Sequence, residues 1–163
     1  MNGCKVITKE DLTRENFHWT EWFKSDTAKK LGIDNYPDPI DEFLILDNLM
    51  STADMGQEIR DILGCVVSVS SAFRCKILND AVGSSDRSQH LQGLAIDLKS
   101  NSFGTPKEIM IKLHSVGFLV DQCLCEGSWL HVSRLNNQES KNRMMYGYYL
   151  PNPKTGKREF KAI

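Results

Sequence analysis

Apolar residues recur at helical spacing from Ile40 to Leu63, and this is the longest regular pattern in the chain. Side chains three or four positions apart share one face of a helix, so this recurrence predicts a single long amphipathic helix. Gly64 follows directly and predicts the end of that helix, because glycine adopts the left-handed conformation that closes many helices. Two shorter helices are predicted over residues 21–31 and 75–82, the second ended by Gly83.

A fourth helix is predicted from the segment Thr105-Pro106-Lys107-Glu108. A threonine followed three residues later by a glutamate forms a capping box, in which each side chain bonds to a free backbone amide. Proline suits the first helical position because its fixed backbone angle already matches the helix. We expect this helix to run through Ser115.

Between and after these helices, β-branched and aromatic residues alternate with polar ones, which predicts strands. The predicted strands cover residues 66–73, 95–100, 118–125, 129–135 and 144–150. The third and fourth are separated only by Glu126-Gly127-Ser128, so we expect them to form a hairpin. Helices that come first and a mostly antiparallel sheet that comes later indicate an α+β fold, with the helices packed on the sheet.

The chain has the size and composition of one globular domain. It has 163 residues, 40% of them hydrophobic and 25% charged. A chain of this size forms a core without needing disulfide bonds. We therefore expect a single, monomeric domain over residues 1–163, with a core at about 17–150. The tail at 151–163 is expected to be loosely held, because prolines, a glycine and basic residues cluster there.

The charge balance argues against nucleic acid and anionic membranes as partners. Twenty basic and 21 acidic residues give a net charge of −1, which provides no general attraction to nucleic acid or to an anionic membrane. No apolar run approaches the roughly 18 residues of a transmembrane helix, so we expect no membrane insertion. The segment MNGCKVITKEDLTREN contains no apolar stretch typical of a secretion signal, so we expect synthesis in the cytoplasm.

The cysteines indicate reduced thiols rather than a disulfide framework, because they are odd in number and irregularly spaced. They are Cys4, Cys65, Cys75, Cys123 and Cys125. Cys123 and Cys125 form a C-x-C pair, which is either half of a metal site or two strand residues on one face. No second pair at zinc-finger spacing accompanies it, which favours the second interpretation.

Two histidines and one aspartate form a candidate metal site. His90 precedes Asp97 by seven residues, and Gly93 between them has the freedom to turn the loop back onto the strand that carries Asp97. Trp129 and His131 share one face of a later strand, so His131 reaches the same site if the two strands are neighbours. Two imidazoles and one carboxylate leave a fourth tetrahedral position for water, which is typical of catalytic zinc.

Such a site also requires a group that takes the proton of the attacking water. Glu126 lies at the turn of the predicted hairpin, five residues before His131, and is therefore the candidate general base. The spacing is only moderately specific, because a histidine and an aspartate seven residues apart also occur by chance. An ordinary polar role for these residues therefore stays open on spacing alone.

The segment SQHLQGLAID resembles the S-x-H-x-x-G-x-A-x-D motif of the zinc D-alanyl-D-alanine peptidases, metallopeptidase family fifteen. This family contains cell-wall carboxypeptidases and endopeptidases, among them many bacteriophage endolysins. EGSWLH resembles the companion E-x-x-W-x-H motif, and VSVSSAFRCKILNDAVGSSDRSQH is similar to the family's S-G-Y-R strand and N-x-x-V-G-G helix and loop. The resemblance covers roughly residues 17–143 and implies the Hedgehog-like fold of the D-Ala-D-Ala peptidases.

Carried over by position, the resemblance implies one zinc ion per chain, with His90, Asp97 and His131 as its ligands. It implies that Glu126 is the catalytic acid and base. It also implies that Arg74 faces the substrate, where its fixed fork suits a carbonyl oxyanion or a carboxylate.

The resemblance leaves some roles open. Ser88, beside the first ligand, either bonds to substrate or braces the loop, and Trp129 either packs under the site or touches substrate. In several branches of the family the catalytic glutamate lies three residues before the last histidine, where this chain has Ser128. Asp121 is then the alternative base to Glu126.

Together these features predict a zinc peptidase that hydrolyses peptidoglycan stem peptides, as a D-Ala-D-Ala carboxypeptidase or a cross-link endopeptidase. We expect it to act on the cell wall, either as a phage lysis protein released through a holin or as a virion component. Two alternatives stay open. One is a zinc-stabilised module that binds wall peptides or another protein without turnover. The other is a structural metal site closed by Cys123 or Cys125.

Overall fold

The computed structural model describes residues 6–135, 142–151, 155 and 158–163. Within them, four α-helices and a six-stranded sheet confirm the α+β prediction. The helices are α1 (Asp26–Leu31), α2 (Glu42–Leu63), α3 (Lys76–Ala81) and α4 (Pro106–Ser115). The strands are β1 (Ser68–Ser71), β2 (Ala95–Lys99), β3 (Gln122–Cys125), β4 (Leu130–Ser133), β5 (Met145–Pro151) and β6 (Arg158–Ala162). Short 3-10 helices cover Lys9–Leu12, Trp19–Trp22 and Gln89–Gln92.

α2 is the long helix that the apolar pattern predicts, although it begins at Glu42 rather than at the exposed Ile40. Gly64 ends it in the left-handed conformation, with φ of 64°. One face of α2 packs against β2 and α4, and Leu49 and Ile59 on it are fully buried. Burial of one such side chain contributes about 1.5–3 kcal/mol to folding. None of the helices in the described ranges combines the length and apolar character that crossing a bilayer requires.

The sheet has the strand order β1-β2-β4-β3-β5-β6. All neighbours are antiparallel except β3 and β5, which pair in parallel. β3 and β4 form the predicted hairpin, and β4 also pairs with β2. Asp97 on β2 therefore lies directly opposite His131 on β4. The strand order thus brings two of the candidate ligands together.

The boundaries of three predicted elements are wrong. The strand predicted over 118–125 begins only at Gln122. The helix predicted over 21–31 is divided into the 3-10 helix Trp19–Trp22 and α1, because the Ser25 side chain accepts a hydrogen bond from the Ala28 amide and fixes the start of α1. The strand predicted over 66–73 is shorter, because its pairing with β2 extends only from Ser68 to Ser71.

The prediction that residues 144–150 form the last strand is also wrong, because β6 in the tail pairs antiparallel with β5. The rings of Phe160 and Tyr149 lie 5.7 Å apart between their centroids across this pair. An edge strand is held mainly by backbone hydrogen bonds, so its sequence need not show a strong apolar pattern. Residues 152–154 and 156–157 of the tail lie outside the described residues.

Candidate metal centre

The structure brings together the three side chains that the sequence predicts as ligands. His90, Asp97 and His131 each offer one ligand atom, and these atoms lie within 4.8 Å of one another. Asp97 Oδ1 lies 3.2 Å from His90 Nε2 and 3.0 Å from His131 Nδ1, and the two nitrogens are 3.2 Å apart. Zinc–nitrogen bonds of about 2.0–2.1 Å place neighbouring atoms of a tetrahedron about 3.3 Å apart, so the spacing suits a small divalent ion.

Three pieces of local structure position these side chains. The register of β2 and β4 sets Asp97 opposite His131, and His90 projects from the 3-10 helix Gln89–Gln92. Gly93 ends this short helix with φ of 69° and turns the chain toward β2, as the sequence predicts. A Cβ at Gly93 would lie 3.0 Å from Cγ of Leu49 and 3.1 Å from a backbone oxygen of α2. Both the backbone angle and the close approach to α2 therefore favour glycine at this position.

The hydrogen bonds of His90 show that the cluster suits a cation. Its Nδ1 lies 2.6 Å from the carbonyl oxygen of Ala72, which only accepts, so Nδ1 carries the hydrogen. Burial lowers the pKa of His90 more than Asp97 raises it, which favours the neutral ring. Nε2 then presents a lone pair toward Asp97 Oδ1, which is also an acceptor. Two acceptors that face each other at this distance fit a metal ion held between them.

Asp97 divides its two oxygens between the cluster and Arg74. Oδ1 faces the imidazoles, while Oδ2 accepts a hydrogen bond of 2.6 Å from Nη2 of Arg74. Burial raises the pKa of Asp97, but attraction to a proton on the imidazole side of the cluster lowers it more, so the pKa lies well below its ordinary value. Asp97 is therefore ionised, and its Oδ1 faces the ring nitrogens of both His90 and His131. The contact with Arg74 is one that the sequence did not predict.

The cluster opens onto a polar cleft of about 1460 Å³. The other predicted site residues all line this cleft: Arg74, Ser88, Glu126 and Trp129. Glu126 is half-buried at the hairpin turn, where its amide donates to the carbonyl of Trp129 at 3.0 Å. Its carboxylate does not belong to the group of mutually close ligand atoms, so Glu126 lies in the cleft without being a fourth member of the cluster. Trp129 Nε1 is buried and has no hydrogen-bond partner among the described residues.

Comparison with known proteins connects this geometry to one family. The family model described as Peptidase M15 matches residues 15–133, which include all three members of the cluster. The chain belongs to the Peptidase M15 family. The resemblance noted in the sequence is thereby confirmed, and the protein is a metallopeptidase by family. A search of curated proteins finds no match.

The cysteines that the structure describes in this M15 peptidase do not complete the candidate metal centre, and Cys4 lies outside the described residues. Cys123 and Cys125 both belong to β3; the side chain of Cys123 is fully buried in the core and that of Cys125 is half-buried against it. Burial raises the pKa of both thiols, which disfavours the thiolate that a metal requires. Within the described part of the chain, no cysteine joins the cluster of His90, Asp97 and His131. The alternative of a structural site closed by Cys123 or Cys125 is therefore wrong.

Asp121, the alternative base, is already committed to an ion pair that the sequence did not predict. It is 1% exposed and accepts hydrogen bonds from Nη2 of Arg143 at 2.6 Å, from the Arg143 amide at 3.0 Å and from Gln89 Nε2 at 3.0 Å. Burial raises the pKa of Asp121, but these bonds lower it overall. With both oxygens occupied, Asp121 suits proton transfer less well than Glu126. It instead connects Gln89, the first residue of the 3-10 helix that carries His90, to Arg143, which lies just before β5.

We expect Asp121→Asn to destabilise the M15 peptidase by about 1–3 kcal/mol at pH 7, because a buried charged acceptor is lost. The pKa of Asp121 is lowered in the folded state, so this stabilisation is present above the unfolded value of about 3.9 and is lost as pH falls through the folded value. Urea unfolding at pH 7 and near pH 3 measures it. Asp80→Asn, at the exposed Lys76 pair, is the control. An equal deficit of Asp121→Asn at both pH values would contradict the prediction.

Proposed function

We propose that this M15 peptidase is a zinc enzyme that hydrolyses peptide bonds in the stem peptides of peptidoglycan. The observation that carries the proposal is the cluster of His90, Asp97 and His131 at a large polar cleft. Typical small-molecule pockets occupy about 300–1000 Å³, so a cleft of this size suits an extended peptide better than a single amino acid. A bound zinc ion supplies a Lewis acid that makes water a better nucleophile and polarises a carbonyl at neutral pH.

The residues of the cleft provide the remaining steps of an amide hydrolysis. Glu126 accepts a proton from the attacking water and delivers it to the amide nitrogen as the carbon–nitrogen bond breaks, so that an amine and a carboxylic acid result. Arg74 lines the same cleft and stabilises the negative charge that develops on the carbonyl oxygen, or holds a carboxylate of the substrate. Its bond to Asp97 fixes where the guanidinium lies before substrate arrives.

The products of digestion test this proposal. The protein loaded with zinc is incubated with purified wall fragments of several chemistries, and the products are identified by mass spectrometry. Loss of a single alanine from a stem peptide identifies a carboxypeptidase, and separation of cross-linked stems identifies an endopeptidase. A chelator-treated sample is the control, and we expect it to give neither product.

The alternative is a zinc-stabilised module that binds wall peptides or another protein without cleaving them. Ser128 favours this module, because several branches of the zinc D-alanyl-D-alanine peptidases, which the sequence resembles, have the catalytic glutamate at this position. The presence of Glu126 in the cleft supports the enzyme instead. Binding of wall fragments with no product from any of them would support the module and contradict the peptidase.

A further inference from the structure

Asn35 has an unusually complete set of hydrogen bonds for a loop residue. It lies between α1 and α2 and is only 7% exposed. Its Nδ2 donates to the carbonyl oxygens of Phe23 and Phe73, both at 2.9 Å. Its Oδ1 accepts from the amide of Cys75 at 2.8 Å. The side chain therefore uses both of its amide hydrogens and its oxygen on backbone groups.

Two of these three bonds enclose Arg74. The carbonyl of Phe73 precedes it and the amide of Cys75 follows it, so Asn35 holds the backbone on both sides of one residue. The amide of Arg74 itself donates to the carbonyl of His90 at 3.1 Å. The segment between β1 and α3 belongs to neither element, so regular secondary structure does not fix it. Asn35 supplies the partners that a strand or a helix would otherwise provide.

The guanidinium at the end of this fixed backbone is also closely held. Nη2 of Arg74 donates to Asp97 at 2.6 Å and Nε donates to Ser71 Oγ at 2.9 Å. The Arg74 side chain is 15% exposed and lines the cleft. A displacement of its backbone by a fraction of an ångström would change these bonds and the place where the guanidinium meets substrate.

We propose that Asn35 is a positioning residue that acts on substrate and on Asp97 through Arg74. The part concerning substrate rests on the proposed function. Asn35 lies more than 50 residues before the motifs that carry the candidate ligands. It therefore comes close to Arg74 and the site only in the folded chain. The amide is essential to this role, because aspartate at the same place has no N–H groups and would direct an oxygen at two carbonyls.

A double-mutant cycle tests this proposal, using Asn35→Asp, Arg74→Ala and the double variant in the full-length, zinc-loaded chain. Zinc content and thermal unfolding are measured for each. We expect Asn35→Asp to lower kcat/KM for wall peptides by about 10–100-fold, the usual effect of losing a group that orients a site residue. In the Arg74→Ala background the same change should alter kcat/KM by less than about 2-fold, because the residue it positions is gone. Equal factors in both backgrounds would overturn the proposal and indicate a general structural role.

A control variant and a spectroscopic measurement distinguish a positioning role of Asn35 from a general loss of stability or of activity. Ile59→Val, a fully buried change in α2 away from the cleft, is the control for lost stability and should leave kcat/KM unchanged below its unfolding temperature. The visible spectrum of the cobalt-substituted protein reports the surroundings of Asp97 without any turnover. Asn35→Asp should shift this spectrum in the wild-type background and cause no additional shift in Arg74→Ala. If the wild type cleaves no wall peptide, the proposed function fails, and an unshifted cobalt spectrum would separately overturn the role of Asn35.

Discussion

Glu126→Gln should lower kcat for peptide hydrolysis by about 10²–10⁴-fold, the range typical of a lost general base. Glutamine keeps the size and polarity of the side chain but cannot accept the proton. Glu126 lies in the cleft without belonging to the cluster of ligand atoms, so zinc content should stay at one ion per chain. Steady-state kinetics on the wall peptide identified by mass spectrometry, with metal analysis of the same sample, measure both quantities.

Glu15→Gln is the matched control for this variant, because Glu15 is exposed and does not line the cleft. It should leave kcat unchanged. Unchanged kcat in Glu126→Gln would contradict the assignment of the base. Loss of zinc along with activity would instead indicate that Glu126 binds the metal. Asp121→Asn then provides a direct comparison, because that carboxylate is held by Arg143 and Gln89 and should affect stability more than rate.

Removal of the metal should abolish hydrolysis and also lower the unfolding temperature. An ion bound at 100 times its Kd stabilises the folded state by about 2.7 kcal/mol. For a chain of this size, that corresponds to a decrease of roughly 5–10 °C on adding chelator. His131→Ala should weaken zinc binding by about 100-fold or more, since changes outside the ligands themselves already cost 10–100-fold. Metal analysis and thermal unfolding with and without chelator measure these effects.

His114→Ala is the control, because His114 is exposed on α4 and packs its ring against Tyr146 rather than joining the cluster. It should retain one zinc ion and full activity. A chelator that changes neither unfolding temperature nor hydrolysis would contradict the metal site. Retention of zinc by His131→Ala would show that the ligand set differs from His90, Asp97 and His131.

Elements defined by local chemistry were predicted closely. α4 begins where the capping box predicts, because Thr105 and Glu108 act within one turn, and it ends at Ser115 as expected. α2 ends at Gly64 for the same local reason. β6 and the parallel pairing of β3 with β5 were not predicted, since the pairing of distant strands depends on which backbone comes alongside and not on an apolar pattern.

The candidate site, like the fold, was predicted only in part. The three candidate ligand residues were recognisable because their types and order follow a known motif, but the contacts that orient their side chains were not. Arg74 bonding to Asp97 and Gln89 bonding to Asp121 join residues 23 and 32 positions apart. The bonds of Asn35 to the backbone around Arg74 join residues 38 and 40 positions apart. Asparagine and aspartate in loops commonly bond to nearby backbone, so nothing in the sequence marked these distant partners.

By itself, the sequence determined where the principal helices begin or end and which side chains are chemically able to hold a divalent ion. It did so because helix caps and motif residues act over a few positions. Only the tertiary structure decided that His90 and His131, 41 positions apart, place their nitrogens 3.2 Å from each other and that Arg74 holds the second oxygen of Asp97. Those distances depend on strand order and packing, and neither is a property of any short segment of the chain.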